Sequence, residues 1–388
     1  MSTVEVEAQG RNARLYLTGL GVSMFGDTSM ALVAAIWVKT LTGDNAAATV
    51  VALCIYTPAL LGPAAGLLVD RVRRRRLLVV GNGVMAAILA VLALAGGGRR
   101  VWLIDLVMVC YGTSMIVLDP AENALFAMLF DDRTRGRLNG LRMSLQEGGK
   151  LVAPLVGVGL FTLLGGRSVA LLDTVSFLVA AAAIARLRTA DPRPAGPRRR
   201  CWPELTAGLA HIRDEPTLRR LVTVAGVAML TGGLTFPAGY ALVDSFGRSP
   251  AFVAFLTCAL GAGSIIAGLL TGRLLRRHDE IALARLGLLN AVAGLLLGCA
   301  PWLPVAIAGW FVRGFGLPWI LVATFTAAQR LTPDSLWGRV GAAVNVVVLA
   351  ASPLAYVFGA ALADHVGYRV LLLVAAAASA ACVVRVAR

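Results

Sequence analysis

The chain has 388 residues, 58% of them hydrophobic, with a mean hydropathy of +0.78 and a formal net charge of +15. Only 15% are charged, against about a quarter in ordinary soluble domains, and a soluble chain this apolar would expose patches that drive aggregation. Composition therefore excludes a nucleic-acid-binding role for the basic excess and indicates an integral membrane protein whose first partner is the lipid bilayer.

Glu5, Glu7, Arg11 and Arg14 precede a long apolar run. It lacks a small-residue cleavage site and reads as an uncleaved first span. At roughly 20 apolar residues per crossing, the spans fall at 15–40, 46–69, 77–97, 101–129, 139–164, 168–187, 218–243, 251–272, 281–300, 302–328, 339–363 and 367–385. Alternating strands of the barrel type are absent, so helices must satisfy the backbone. The expected fold is an all-α membrane protein of twelve transmembrane helices in two six-helix bundles, residues 1–187 and 218–388. The linker 188–217 opens with Pro192, Pro194 and Pro197, then Arg198–Arg200. Leu205, Leu209 and Ile212 follow at helical spacing and predict a short amphipathic helix on the inner surface.

Most of the 36 basic residues fall on one side of this row, among them Arg73–Arg76, Arg198–Arg200, Arg273, Arg276 and Arg277. The opposite side holds Lys39, Arg99, Arg100, Arg167, Arg248 and Arg369; Lys150 and Arg313 remain, and both fall deep within spans. The positive-inside rule then places both termini in the cytoplasm. Trp37, Trp102 and Trp302 sit at expected outer ends and Trp337 at an inner end, as interfacial aromatics do.

The halves repeat. Residues 65–75, AGLLVDRVRRR, match 267–277, AGLLTGRLLRR, at seven of eleven positions and an offset of 202. The same offset aligns Asp132 with Asp334 and Gly136-Arg137-Leu138 with Gly338-Arg339-Val340. Ala153-Pro154-Leu155 aligns with Ser352-Pro353-Leu354 at 199. Shared apolar bias does not readily put Gly, Arg and Pro in register, so the chain reads as a parallel duplication with the substrate path between the halves.

No catalytic or cofactor chemistry is evident. Neither lysine, Lys39 nor Lys150, sits in a Gly-Lys-Ser/Thr phosphate loop. The six cysteines are scattered singly and His211, His278 and His365 lie far apart, which argues against a metal site or disulfide framework.

Gly66-Leu67-Leu68-Val69-Asp70-Arg71-Val72-Arg73-Arg74-Arg75 resembles the loop motif of the major facilitator superfamily, with Arg73 in place of its second Gly. Gly26-Asp27, Pro58, Gly62-Pro63 and Trp202-Pro203-Glu204-Leu205 resemble the branch of multidrug, macrolide and siderophore exporters. The resemblance covers essentially the whole chain. It implies a monomeric secondary transporter of the bacterial inner membrane, without cofactor, that moves a small molecule against protons. It also implies a gating motif of Gly66, Asp70, Arg71 and Arg74 in which Asp70 caps the cytoplasmic N-terminus of the eleventh helix near Gly338-Arg339, where the helix dipole is positive; Arg73–Arg76 otherwise read as a topology signal. The matching position in the second half is Gly272, followed by Arg273, so gating should be asymmetric.

Charges inside spans cost at least ~2.5–3.5 kcal/mol at a helix centre and are functional candidates by default. Asp27 lies near the middle of the first span, one turn after Ser23. It can carry a proton, touch substrate, or make a polar contact to a neighbouring helix. Asp119 and Glu122 share a stripe of the fourth span with Tyr111, Met115 and Phe126. They suit an amphipathic cation or a shared proton, or else meet cytoplasmic arginines such as Arg137 and Arg142. Glu147 and Lys150, three apart in the fifth span, can pair with each other, or Lys150 can neutralise a helix-four acid. Arg313, near the middle of the tenth span, needs an acid such as Asp27 or Glu122, or an anionic substrate group. Asn345 in the eleventh can bond substrate or a neighbour. Asp105, Asp173 and Asp244 read as solvated residues near the outer mouth.

The leading expectation is proton-coupled export of a hydrophobic or amphipathic small molecule, such as a drug, natural product or siderophore. A proton-coupled importer or facilitator is the alternative. The membrane subunit of an ATP-driven exporter is disfavoured by the duplicated twelve-span layout.

Overall fold

The structure, a computed structural model, describes residues 3–62, 72–95, 100–130, 132–187, 201–333, 336–363 and 365–387. They form helices joined by short turns. In the first half these are α1 Thr3–Thr42, α2 Asn45–Tyr56 with a 3-10 turn Thr57–Leu61, α3 Arg74–Ala95, α4 Val101–Leu129, α5 Asp132–Leu164 and α6 Gly166–Ala185. In the second they are α7 Cys201–Asp214, α8 Pro216–Leu234, α9 Phe236–Ser245, α10 Val253–Leu275, α11 Glu280–Gly298, α12 Leu303–Gly314, α13 Gly316–Leu331, α14 Trp337–Ala363 and α15 Tyr368–Ala387.

Among the described residues, eleven helical stretches are long and apolar enough to cross a membrane. The twelfth expected span is described only over the shorter apolar stretch Asn45–Ala59, its remainder lying outside the described residues. Gly66, Asp70 and Arg71 of the loop motif also lie outside them, as does the linker over 188–200. Leu94, Leu163 and Leu269 are largely exposed, which suits helices whose surroundings are lipid.

The chain divides into two compact units, one of Met1–Thr42 with Cys54–Arg198 and one of Gly43–Leu53 with Arg199–Arg388. In the first, α6 packs on α1 and α3, α1 also on α4 and α5, and α3 on α4. Its largest described core gathers Tyr16, Leu78, Leu118, Leu125, Phe126 and Ile184. In the second, α15 packs on α8 and α11, α8 on α14, and α11 on α12. Spans one, three, four, five and six thus pair as spans seven, nine, ten, eleven and twelve do, which is the duplication expressed in packing. The turns repeat too. Gly43 and Gly247 follow the first and seventh spans, and both take positive φ, +76° and +64°, a conformation that costs only glycine nothing. Asp44 then accepts from the Ala46 amide at 2.7 Å to start α2.

Two spans expected to be continuous are broken. The seventh is interrupted at Thr235, where Pro237 has no N–H to continue the ladder. The tenth breaks at Phe315, three residues before Pro318. Pro318 cannot bond the carbonyl of Gly314 four residues back. Ser264 of α10 donates to that carbonyl instead, at 2.9 Å. Broken helices are tolerated in membranes when neighbours re-satisfy the backbone in this way.

The amphipathic helix expected in the linker corresponds to α7, and its apolar face covers protein. Leu205 and Ile212 pack with Val340, Ala343 and Val344 of α14. Gly208 approaches so closely that a Cβ there would lie 2.3 Å from the Arg339 carbonyl. Trp37 is covered by protein as well. It is buried over Gly166, where any side chain would strike its ring. Trp102 and Trp302 are mostly exposed.

Candidate functional site

In the first unit the polar side chains collect where α1, α4, α5 and α6 meet. Asp27 of α1 receives the Tyr111 hydroxyl of α4 at 2.6 Å on Oδ1 and the Ser23 hydroxyl at 3.3 Å on Oδ2. Glu122 of α4 receives the Tyr16 hydroxyl of α1 at 2.7 Å on Oε1. Each helix therefore gives a tyrosine to the other's acid. Tyrosine and acid stand eleven residues apart on both helices, about 16 Å at the rise of an α-helix, so the two rungs are matched in spacing.

Arg142 of α5 closes the Glu122 end. Its guanidinium lies 3.7 Å from Glu122 Oε1, donates to Asn123 Oδ1 at 3.1 Å, and sits 5.0 Å from the Phe126 ring centroid. Asp119 is exposed on the same face of α4 as Met115 and lies within electrostatic reach of Asp27 and Glu122.

Asp173 is not a solvated mouth residue. Its exposure is 0%, because α6 packs against α1 at Gly26, where the missing side chain makes room for it. A Cβ on Gly26 would stand 2.4 Å from Asp173 Oδ1 and 2.3 Å from Ser176 Oγ. Ser176 donates to Asp173 Oδ1 at 2.8 Å; Oδ2 is buried and finds no partner among the described residues. Asp173 also lies within electrostatic reach of Asp27. Closeness to the loop suggested a solvated side chain; the glycine beside Asp27 was the available signal of its burial.

Glu147 and Lys150 pair within α5 at 2.6 Å, so Lys150 has a partner one turn away. Asn345 is exposed and donates to the Gly341 carbonyl at 3.1 Å. In the second unit, Arg313 ends α12 and donates to Thr235 Oγ1 at 2.6 Å. The break of the seventh span is thereby tied to the break of the tenth. Arg313 also lies 5.7 Å from the Trp310 ring, with Tyr356 within electrostatic reach and Phe236 edge-on to Tyr356 at 5.5 Å. Thr235, Tyr356 and Phe236 carried no charge or motif to mark them in the sequence.

Around the gating motif, Arg74 donates to Met128 Sδ at 2.8 Å and Arg75 to the carbonyls of Ile184 and Ala185. Arg75 thus caps the C-terminus of α6, where the helix dipole favours a cation. Gly272, Arg273, Gly338 and Arg339 are exposed. No cluster of His, Cys, Asp and Glu able to hold a metal occurs among the described residues.

The profile of the Major Facilitator Superfamily matches residues 16–224 and again 221–388. Macrolide efflux protein A from Streptococcus pyogenes is 23% identical over 369 residues, aligned across 90% of this chain and 88% of that protein. The enterobactin exporter EntS from Escherichia coli is 27% identical over 246 residues, 60% of this chain and 54% of that one. Among solved structures, a bacterial homologue of the iron transporter ferroportin in its inward-facing state superposes with a TM-score of 0.75 at 16% identity, covering 100% of this chain and 99% of that one. The two profile matches together span nearly the whole sequence, and the chain belongs to the Major Facilitator Superfamily, a multi-pass membrane transporter and not an enzyme.

Proposed function

We propose that the protein is a proton-coupled exporter that expels a hydrophobic or amphipathic small molecule by alternating access. Direction and substrate class are drawn from the efflux relatives, and a macrolide is the first substrate to test. We read both termini as cytoplasmic, the working form as a monomer, and Asp27 as the proton carrier. One observation carries the reading: a mid-span carboxylate held by hydroxyls of two helices, with no cation bonded to it among the described residues. A charge there is expensive in a membrane. An acid that can be neutral or ionised, with its hydrogen bonds supplied by Tyr111 and Ser23, is suited to load and release a proton as the helices move. Arg313, fixed in charge and joined to two helix breaks, supplies the second half with a cation for a polar group of the substrate.

The test is macrolide accumulation in inverted vesicles carrying the full-length protein, energised by an inside-acid gradient. Accumulation should collapse when nigericin dissipates that gradient. Asp27→Asn should lower gradient-driven accumulation at least tenfold while membrane insertion is unchanged. Accumulation indifferent to both would contradict proton coupling.

A further inference from the structure

A small cavity of about 30 Å³ lies below Asp27, lined by Tyr16, Leu20, Ser23, Asn82, Glu122 and Ile184 among others. One water needs about 10–15 Å³ of such space and two to four polar partners. Here α1 offers the Ser23 and Tyr16 hydroxyls, α3 the Asn82 amide and α4 the Glu122 carboxylate. Asn82 is itself buried, and its Nδ2 donates to the Leu78 carbonyl at 2.7 Å. The cavity therefore touches the Tyr16–Glu122 rung directly and the Tyr111–Asp27 rung through Ser23. At one end is Ser23, already bonded to Asp27; at the other is Glu122, already bonded to Tyr16.

We propose that water in this cavity joins the two rungs, so that a proton passes between Glu122 and Asp27 through Ser23. This rests on the reading of Asp27 as proton carrier. In the inward-to-Asp27 direction the Glu122 O–H bond breaks and its proton goes to water. Water passes one of its own protons to the Ser23 oxygen, and Ser23 releases its hydroxyl proton to Asp27 Oδ2. Glu122 is left ionised, Asp27 neutral, and water and Ser23 unchanged. Ser23 carries the proton in this scheme, and Asn82, which lines the cavity, is a positioning residue. The charged and titratable groups facing the path are Tyr16 from α1, Tyr111 and Asp119 from α4, Arg142 from α5 and Asp173 from α6. Arg142, 3.7 Å from Glu122, sits at the far end, where an ionised Glu122 gains a cation as it gives up its proton.

The experiment is time-resolved infrared spectroscopy of the full-length protein in liposomes after a pH jump, with no substrate present. The carboxyl bands of Asp27 and Glu122 are assigned by their loss in Asp27→Asn and Glu122→Gln. In the unmodified protein both bands should change together. In Ser23→Ala the Asp27 band should lag at least tenfold, Ser23→Thr should restore its speed, and Asn82→Leu, which fills the cavity with an apolar group, should slow it as Ser23→Ala does. An Asp27 band that responds to pH but is indifferent to Ser23→Ala and Asn82→Leu in stably folded protein would overturn the relay alone. An Asp27 band that never responds would overturn the carrier reading, and the relay with it.

Discussion

Gly26 shows how one residue places the acids. Its bare Cα lets the Asp173–Ser176 pair of α6 come against α1 beside Asp27. Gly26→Ala puts a methyl within 2.3–2.4 Å of Ser176 Oγ and Asp173 Oδ1. Overpacking of this kind costs about 1–3 kcal/mol. Thermal unfolding in detergent should show a clear fall in midpoint for Gly26→Ala and little change for Gly159→Ala, where nothing lies within 4 Å of the added carbon. Equal midpoints would mean that α6 does not depend on this contact. The same residues show what could be read beforehand. Asp27, Glu122 and Arg313 stood out because a charge in an apolar run is conspicuous. Ser23, one turn from Asp27 on the same helix, was legible too. Tyr16 and Thr235 are ordinary in a span, and Tyr111 bonds an acid of another helix, so these partners become informative only when helices distant in sequence are brought side by side.

The elements were legible where hydropathy alone defines them. Expected and observed ends of the third, fourth and ninth spans agree within a few residues. The breaks at Thr235 and Phe315 were not foreseen, since Pro237 and Pro318 lie within apolar runs and hydropathy is blind to a missing N–H. The break of the tenth span is stabilised by the Ser264 hydroxyl on the Gly314 carbonyl. Hydrogen bonds between helices in membranes contribute about 0.6 kcal/mol on average and up to about 1.7 kcal/mol. Ser264→Ala should therefore lower stability by an amount in that range. In a Pro318→Ala background the restored amide can take the Gly314 carbonyl, and the same substitution should cost less. A double-mutant cycle on unfolding midpoints measures the difference; additive effects would show that the serine does not compensate for the proline. The linker was likewise half legible. Its helix follows from the spacing of Leu205, Leu209 and Ile212, but the surface it covers is set by Gly208 meeting α14.

At the scale of the molecule, the duplication read from Gly, Arg and Pro in register reappears as the same helix pairings in each unit and as positive-φ glycines at matching turns. The two units differ in their charges. The first holds the acids on α1, α4 and α6 with their tyrosines, and the second holds Arg313 at two helix breaks. On the proposed reading, such a division gives proton exchange to one half and a fixed cation to the other. It makes coupling between protons and substrate the central claim. The direct measurement is the internal pH of sealed proteoliposomes, followed with a trapped dye, when an outward macrolide gradient is imposed without any initial pH difference. Coupled antiport predicts internal acidification as macrolide leaves, abolished by Asp27→Asn. Macrolide efflux at an unchanged internal pH would contradict it.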